Sequence, residues 1–506
     1  MSSPGPSQPA SAWSRQLALT RPPPAVQALA AGGVLALVFL PAPWSFLAPL
    51  PLALLYRLIA HSRTPGQAFR LGWFGGLAFF ALHLFWLPVS FNALFGPVVV
   101  VPMLLLPPLL ATFWGLTAAA TRLTGRYALL ALPFAWVVME YLRTLGVFGF
   151  TWGTLGYALL PTPLIQLADL GGVALASLLV TGAAAALAAL PERRWGPSAA
   201  VAALLVAGTG YGLTRPAPPP PDRTALLVQG AVNPLDKAAG RSVDELTLYA
   251  DLTRRALARG PADLVVWPEG ASPLPIADPG VTDALASFET PTIIGAPYYT
   301  PDFSVYRNSA YGFAGSVTSE YAKVKLVPFG ETFPLRRSLA FAYDPLFAAI
   351  GLSGLLSVQP GTSYDPLELG DVRAGTYICY ESTFPGVARA LVRGGANLLV
   401  NISNDAWFGR TAGAEQHFQM GRVRAIETRR YLARAGNDGI TAVVDPLGRV
   451  TARFPRGARA AFRVRVGVSE VLTPYVRLGE WVPLTGALVV AVLLLLAPKK
   501  GGRRDA

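Results

Sequence analysis

Residues 375–381 read Gly375-Thr-Tyr-Ile-Cys379-Tyr-Glu381, a short β-branched and aromatic run that ends on a cysteine and a carboxylate. A short apolar run bounded by polar residues is the pattern of a buried strand. It recurs at Leu226–Val228, Leu264–Val266, Thr292–Ile294, Thr376–Ile378 and Leu398–Val400, each closed by polar residues or glycine. Between these runs, Val243–Arg259 and Glu415–Ala435 carry helical periodicity. The alternation predicts an α/β domain over residues 222–470, built on largely buried strands. No self-similarity at solenoid periods is present.

Outside that region the composition changes character. The chain has 506 residues, enough for about three soluble domains. Yet 52% of residues are hydrophobic and only 14% charged, against roughly 45–50% and 25% in soluble domains. That much apolar surface requires lipid. Apolar runs long enough to span a bilayer fall at about 25–41, 43–60, 69–91, 97–120, 127–144, 163–190, 198–214 and 480–497. The expected organisation is a cytoplasmic tail at 1–24, a polytopic helical membrane domain at 25–214, the external α/β domain, a last span at 480–497 and a basic tail at 498–506. Pro216–Pro221 reads as a stiff spacer ahead of the α/β domain.

The net charge of +13 would suit nucleic acid if it lay on one face, but its placement follows topology instead. Arg15 and Arg21, then Arg57, Arg63 and Arg70, then Arg122 and Arg126, then Arg193 and Arg194, then Lys499, Lys500, Arg503 and Arg504 fall on one set of connections and tails. The alternate short connections, around Pro41–Trp44 and Phe91–Gly96, carry no Lys or Arg. The positive-inside rule then places both termini in the cytoplasm and residues 222–470 outside it. With one cysteine no intrachain disulfide or multi-thiolate metal centre can form. The only histidines are His61, His83 and His417, so a metal site starts with few ligands. No Gly-rich phosphate loop follows a strand; Gly208-Thr-Gly-Tyr-Gly212 lies in an apolar span and reads as a helix-packing stripe.

An isolated cysteine is most often an inert core thiol. Cys379, however, would sit at the carboxyl end of a strand, where open α/β sheets place their ligands. It would also face an oxidising compartment, where an unused thiol is a liability. Its partners could be carboxylates: Glu269 ends the run Leu264-Val-Val-Trp-Pro-Glu269, and Glu331 ends Lys323-Val-Lys-Leu-Val-Pro-Phe-Gly-Glu331. A desolvated Glu can take the thiol proton, while the Lys323 ammonium favours thiolate and can hold an oxyanion. His417, lone and beside apolar residues, reads as structural before it reads as a triad base.

Four segments now stand in one order: Trp267-Pro-Glu269, Lys323 to Glu331, Cys379-Tyr-Glu381, and Asn401-Ile-Ser-Asn-Asp-Ala-Trp-Phe-Gly409. That order resembles the nitrilase superfamily. With the flanking spans, Met139-Glu-Tyr-Leu-Arg143, Gly149-Phe-Thr-Trp-Gly153 and Gly156-Tyr157, nearly the whole chain is similar to its membrane-embedded branch, the apolipoprotein N-acyltransferases. The resemblance implies an α-β-β-α sandwich in which Glu269 is the general base, Cys379 the nucleophile and Lys323 the oxyanion holder. Glu331 would orient Lys323 or assist proton transfer, and Tyr380, Glu381, Trp407 and Phe408 match positions lining the site. It further implies an inner-membrane enzyme without metal or cofactor that finishes bacterial lipoprotein maturation. A phospholipid acyl chain would pass through a Cys379 thioester to the α-amino group of a diacylglyceryl-modified cysteine. The loop Gly230–Ala238 lacks a tryptophan that some members carry near its end.

Other functional classes use the same residues differently. A membrane-tethered amidase or lipid hydrolase would share the triad but admit water to the thioester. A transporter or scaffold would use the external domain only to bind ligand, and a papain-like enzyme would need His417 at the thiol. The apolar stretch 338–356, broken by Pro345, is either core or an amphipathic arm dipping into the outer leaflet through residues such as Phe341 and Leu346. Glu140 and Arg143, three apart on a helix, are either functional candidates or a structural ion pair, and His83 reads as a packing or interhelix hydrogen-bonding residue before a ligand.

Overall fold

The computed structural model describes residues 22–39, 43–97, 100–193, 195–232, 244–302, 304–333, 335–336, 338–349 and 357–497. Positions 1–21 and 498–506 of the expected tails, Arg194, positions 233–238 of the loop after Gln229 and positions 350–356 of the apolar arm lie outside these residues. The first half is helical: α1 (Pro24–Val38), α2 (Pro49–Ala60), α3 (Pro65–His83), α4 (Trp86–Phe95), α5 (Val100–Arg122), α6 (Ala128–Leu142), α7 (Ala168–Ala189) and α8 (Trp195–Leu213). Among the described residues, three helical stretches are long and apolar enough to cross a membrane, Met103–Arg122, Pro163–Glu192 and Trp195–Leu213, and a fourth if the pair α3 and α4, bent by 43°, counts as one. Side chains such as Leu37, Leu105, Leu109, Leu204 and Val206 are more than 60% exposed on these helices, which suits hydrocarbon and not water.

Two breaks interrupt what hydropathy reads as continuous spans. The expected span 69–91 turns at Leu84 and Phe85 between α3 and α4. Inside α7, Gly171 and Gly172 leave helical geometry, Gly172 at φ 66° and ψ −175°. The break frees the Val173 N–H, which donates to Glu427 Oε1 of the α/β half at 2.8 Å. A carboxylate at a helix start satisfies an orphan donor and suits the local dipole. Tight helix contacts use glycines elsewhere: a Cβ on Gly212 would lie 2.0 Å from Pro163 O, so the stripe Gly208–Gly212 is a packing surface for the turn at Pro163–Leu167.

The second half is a sandwich of two six-stranded sheets. Its elements are β1 (Arg223–Gln229), α9 (Glu245–Leu257), β2 (Leu264–Val266), α10 (Pro279–Ala286), β3 (Thr292–Tyr299), β4 (Tyr306–Phe313), β5 (Val317–Ala322), α11 (Ala340–Ala349), β6 (Leu367–Leu369), β7 (Val372–Ile378), α12 (Pro385–Arg393), β8 (Leu398–Ser403), α13 (Ala412–Thr428), β9 (Leu432–Gly436), β10 (Ala442–Val444), β11 (Val450–Arg453) and β12 (Ala460–Val466). Two further helices, α14 (Pro474–Leu478) and α15 (Trp481–Leu495), close the chain. The strand orders are β12-β1-β2-β3-β4-β5 and β11-β10-β9-β8-β7-β6. Each sheet has a parallel centre, β1-β2-β3 or β7-β8-β9, flanked by antiparallel strands.

Strand alternation builds the layers. Ala225 and Leu227 face a core shared with the second sheet, including Tyr377, Leu398 and Val400. Leu226 and Val228 face the opposite way, into a core with Tyr249 of α9 and Leu285 of α10. Helices α12 and α13 back the second sheet, through Val387, Leu391, Phe418 and Ile426. The α-β-β-α order is therefore as expected. The expected helical stretch Glu415–Ala435 is corrected: α13 ends at Thr428, Arg429 adopts φ 52°, and β9 begins at Leu432. Arg429 is held there by Asp169 of α7, its Nη2 donating to Oδ2 at 2.6 Å, so tertiary contact overrides local helix preference.

The α7 break gives a test. Gly172 has positive φ and a Cβ there would lie 2.7 Å from the Tyr475 ring, whereas Gly182 on the same helix has open space. Gly172→Ala should cost about 1–3 kcal/mol in thermal unfolding of the full-length protein, while Gly182→Ala should be neutral or stabilising by up to about 1 kcal/mol. Equal midpoints for the two variants would contradict the assignment of strain to Gly172.

Candidate active site

Glu269, Lys323, Glu331 and Cys379 are brought together where the two sheets meet. Pro268 stops β2 and delivers Glu269; Lys323 follows β5 directly, and its N–H bonds the Asn308 carbonyl of β4 at 2.9 Å. The Lys323 ammonium is wholly buried, with Nζ 2.7 Å from Glu331 Oε1 and 3.5 Å from Glu269 Oε1. Asn308 Nδ2 donates to both carboxylates, at 2.8 Å to Glu269 and 3.2 Å to Glu331. The remaining oxygens take backbone donors: Asn404 N–H to Glu269 Oε2 and Val327 N–H to Glu331 Oε2, each 2.9 Å. A buried cation so surrounded keeps its charge: burial opposes it, but Glu331 and Glu269 hold Lys323 above the ordinary lysine range.

Cys379, 7% exposed, begins a single 3₁₀ turn, Cys379–Thr383, and takes φ 51°. That left-handed backbone is uncommon outside glycine and is typical of strained functional positions. Burial and the Glu269 carboxylate push the thiol well above its usual range, and Lys323 pulls only partly against them. The sequence leads one to expect that the ammonium favours thiolate; its effect has that sign but is outweighed. The resting group is thus a thiol, and attack requires a base. Glu269 is the carboxylate whose charge acts on the thiol most strongly.

Glu381 does something other than line a cleft. It is fully buried and takes four donors: Ile378 N–H at 2.8 Å, Val324 N–H at 2.8 Å, Lys325 N–H at 2.9 Å and Tyr321 OH at 2.9 Å. It thereby ties the chain beside Lys323 to the chain beside Cys379. Tyr380 points away toward the helical half, its OH donating to Gly149 O at 2.7 Å and its ring stacked on Trp152 at 5.8 Å. Phe408 packs edge-on against Trp86 of α4 at 5.2 Å, while Trp407 is 42% exposed. Gly149, Trp152 and Trp86 belong to the helical half, so that half packs against the turn that follows Cys379 and against Phe408.

His417 is buried but does not face the thiol: Nε2 lies 2.9 Å from the Cys379 carbonyl oxygen. A papain-like role is not supported by that geometry. Glu140 and Arg143 make no direct ion pair among the described residues; Glu140 Oε1 instead accepts from Trp136 Nε1 at 3.1 Å and Leu155 N–H at 2.8 Å. His83 stacks on Phe79 at 5.2 Å, a packing role. Sequence reasoning misses Asn308, whose importance depends on the β3-β4-β5 register and has no local signature. It also misses the individual parts of Asn404 and Asp405, although both lie inside the quoted segment Asn401–Gly409. Among the described residues no group of three or more His, Cys, Asp or Glu side chains could hold a metal ion.

The charge balance predicts that two substitutions move the titration of the chain's only cysteine in opposite directions. Lys323→Met removes a cation that lowers the thiol pKa, so the pH midpoint for alkylation of Cys379 by a small reagent should rise. Glu269→Gln removes an anion that raises it, so the midpoint should fall. At a fixed pH below the midpoint, the alkylation rate should change about tenfold for every pH unit by which the midpoint moves. Midpoints moving in the same direction would contradict this assignment.

Comparison with known proteins agrees with the architecture. Residues 31–186 match the apolipoprotein N-acyltransferase N-terminal domain family and residues 227–462 the carbon-nitrogen hydrolase family. An apolipoprotein N-acyltransferase of Geobacter metallireducens is 34% identical, covering 92% of this chain and 94% of its own. One of Azotobacter vinelandii is 36% identical, covering 94% and 95%. Among solved structures, a carbon-nitrogen hydrolase of Helicobacter pylori aligns at 17% identity over 53% of this chain and 92% of that one, with a TM-score of 0.36. On the full-length relatives and the two matched domains, this chain belongs to the apolipoprotein N-acyltransferases, acyltransferases built on a carbon-nitrogen hydrolase domain joined to apolar helices.

Proposed function

We propose that Cys379 carries the acyl group as a thioester, taken from a membrane phospholipid and passed to the α-amino group of a diacylglyceryl-modified lipoprotein cysteine. The observation that carries this reading is the buried Lys323 ammonium held between Glu269 and Glu331 beside the only thiol. Sγ attacks the ester carbonyl carbon as Glu269 accepts the thiol proton. The oxyanion gains the Lys323 ammonium. Collapse breaks the ester C–O bond, and Glu269 returns the proton to the leaving alkoxide, releasing lysophospholipid. In the second half the neutral amine attacks the thioester carbon, Glu269 takes the amine proton, and collapse expels the Cys379 thiolate, which regains that proton from Glu269. Glu331 holds the ammonium in place throughout. Each half leaves the same net charge in the site, which a buried site requires.

In this reading residues 25–214 and 480–497 form eight spans, both tails are cytoplasmic, and residues 222–470 form the catalytic domain on the outer face. Supporting it, the basic connections meet one another: Arg57 Nη1 donates to Ala188 O at 3.3 Å, Arg122 Nε to Ser62 O at 2.5 Å, and His61 pairs with Glu192 at 3.1 Å. The α/β domain contacts the alternate ends of the helices, through Gly149, Trp86 and Asp169. Helix α11 belongs to the arm; Phe333, Tyr343 and Phe347 form its own small cluster, and Phe341 is 78% exposed. The arm dips its apolar surface into the outer leaflet beside the triad.

The test is intact-protein mass spectrometry of the full-length enzyme incubated with phospholipid vesicles, beside Cys379→Ala. The expected result is an adduct of fatty-acyl mass, absent in the variant, and discharged by a diacylglyceryl-cysteine peptide as its N-acyl product. Loss of the adduct to water regardless of peptide would indicate a lipid hydrolase instead, and no adduct would contradict the thioester. In the same assay Phe341→Asp should slow acylation from vesicles by about tenfold or more while leaving Cys379 alkylation unchanged. Unaltered acylation would remove the arm from lipid capture.

A further inference from the structure

The thioester mechanism leaves unused a buried polar cluster that touches Cys379. His417, Asp405 and Arg434 are each no more than 1% exposed. His417 Nε2 lies 2.9 Å from the Cys379 carbonyl oxygen and 2.8 Å from Ser382 Oγ. On the other ring edge, Nδ1 lies 3.1 Å from Arg434 Nη2 and 3.2 Å from Asp405 Oδ1. Arg434 Nη2 donates to both Asp405 oxygens at 2.8 Å, and its Nε donates to Ile440 O at 3.0 Å. Asp405 Oδ1 also accepts from Ser403 Oγ at 2.7 Å.

The bonds form a chain that runs from Ser403 through Asp405 and Arg434 to His417 and ends on the Cys379 carbonyl. Burial and the Arg434 charge hold the His417 pKa down, so the ring is neutral, with Nε2–H donating to the carbonyl and Nδ1 accepting from Arg434. Burial opposes the Asp405 charge, but Arg434 and His417 hold its carboxyl far below the usual carboxylate range. The peptide joining Cys379 to Tyr380 is planar, so fixing its carbonyl direction fixes the opposite N–H direction as well. Without that hold, a non-glycine residue at φ 51° would relax toward ordinary backbone.

We propose that Arg434, Asp405 and His417 are positioning residues for the acyl transfer, acting through the Cys379 carbonyl to hold the nucleophile in its left-handed turn. This rests on Cys379 being the nucleophile. None of the three takes the thiol proton, since the His417 nitrogens face the carbonyl and the ion pair. Their effect falls on the rate of attack and leaves lipid capture untouched, because none contacts the described residues of the arm.

The test is single-turnover acylation of full-length enzyme by phospholipid vesicles, read by mass as rate against lipid concentration, for His417→Leu, His417→Gln and Ser403→Ala. Thermal unfolding of each confirms the fold. His417→Leu should lower the limiting rate by about 100-fold, the loss that a misplacement of about 1 Å produces. The lipid concentration giving half the limiting rate should not move. His417→Gln, which keeps an N–H and an acceptor, should recover at least about tenfold of the loss. Ser403→Ala, a small change that removes one donor to Asp405 and tests the chain of bonds even if His417→Leu does not fold, should slow the limiting rate by about tenfold. The proposal is overturned by a wild-type limiting rate in folded His417→Leu or in Ser403→Ala, by a loss confined to the half-saturating concentration, or by a glutamine no better than leucine. A wild-type enzyme forming no Cys379 adduct would instead defeat the thioester reading itself.

Discussion

Two carboxylates are exchanged between the sheets, and the site depends on that exchange. Glu269 grows from the first sheet and accepts the Asn404 N–H of the second at 2.9 Å. Glu381 grows from the second and accepts Val324 N–H, Lys325 N–H and Tyr321 OH of the first. Each carboxylate is costly to bury and is stable only because donors surround it. Once both are satisfied, the registers of the two sheets at this end can no longer slide independently. Lys323 and Cys379, one from each sheet, are thereby held at a fixed separation.

The electrostatics follow from that fixed frame. One ammonium between two carboxylates leaves a net negative site, and an additional thiolate would raise that charge further. Moving the thiol proton to Glu269 leaves the total unchanged, which is why a carboxylate base suits a buried thiol here. The membrane half does more than anchor the domain. Gly149, Trp152 and Trp86 pack against Tyr380 and Phe408. Asp169 and the broken start of α7 take Arg429 and Glu427 from the other half of the chain.

Much of this is legible in the residues. The buried parallel strands announce themselves as apolar runs at Leu226, Leu264, Thr292, Thr376 and Leu398, and Glu269, Lys323 and Cys379 each follow a strand. The antiparallel flanking strands are less visible: β5 alternates mostly exposed positions, and β10 is three residues long. Hydropathy does not see backbone geometry, so the turn at Leu84 and the break at Gly171–Gly172 are hidden inside apolar runs. Glu381 resembles a lining residue in sequence because three of its four donors come from a segment nearly sixty residues earlier. Asn308 is hidden for the same reason, since its two carboxylate partners meet only through sheet register.

The claim that the Glu381 clasp sets the position of Lys323 against the nucleophile has a direct test, the pH midpoint of Cys379 alkylation in Glu381→Gln. Removing a buried negative charge, by itself, would lower that midpoint. Loosening Lys323 from the thiol would raise it, and replacing one oxygen by an amide nitrogen sets a donor against backbone N–H donors. The account predicts a rise, and no additional rise when Lys323→Met is combined with it. A fall would contradict the account and leave Glu381 as a charge without a positioning role.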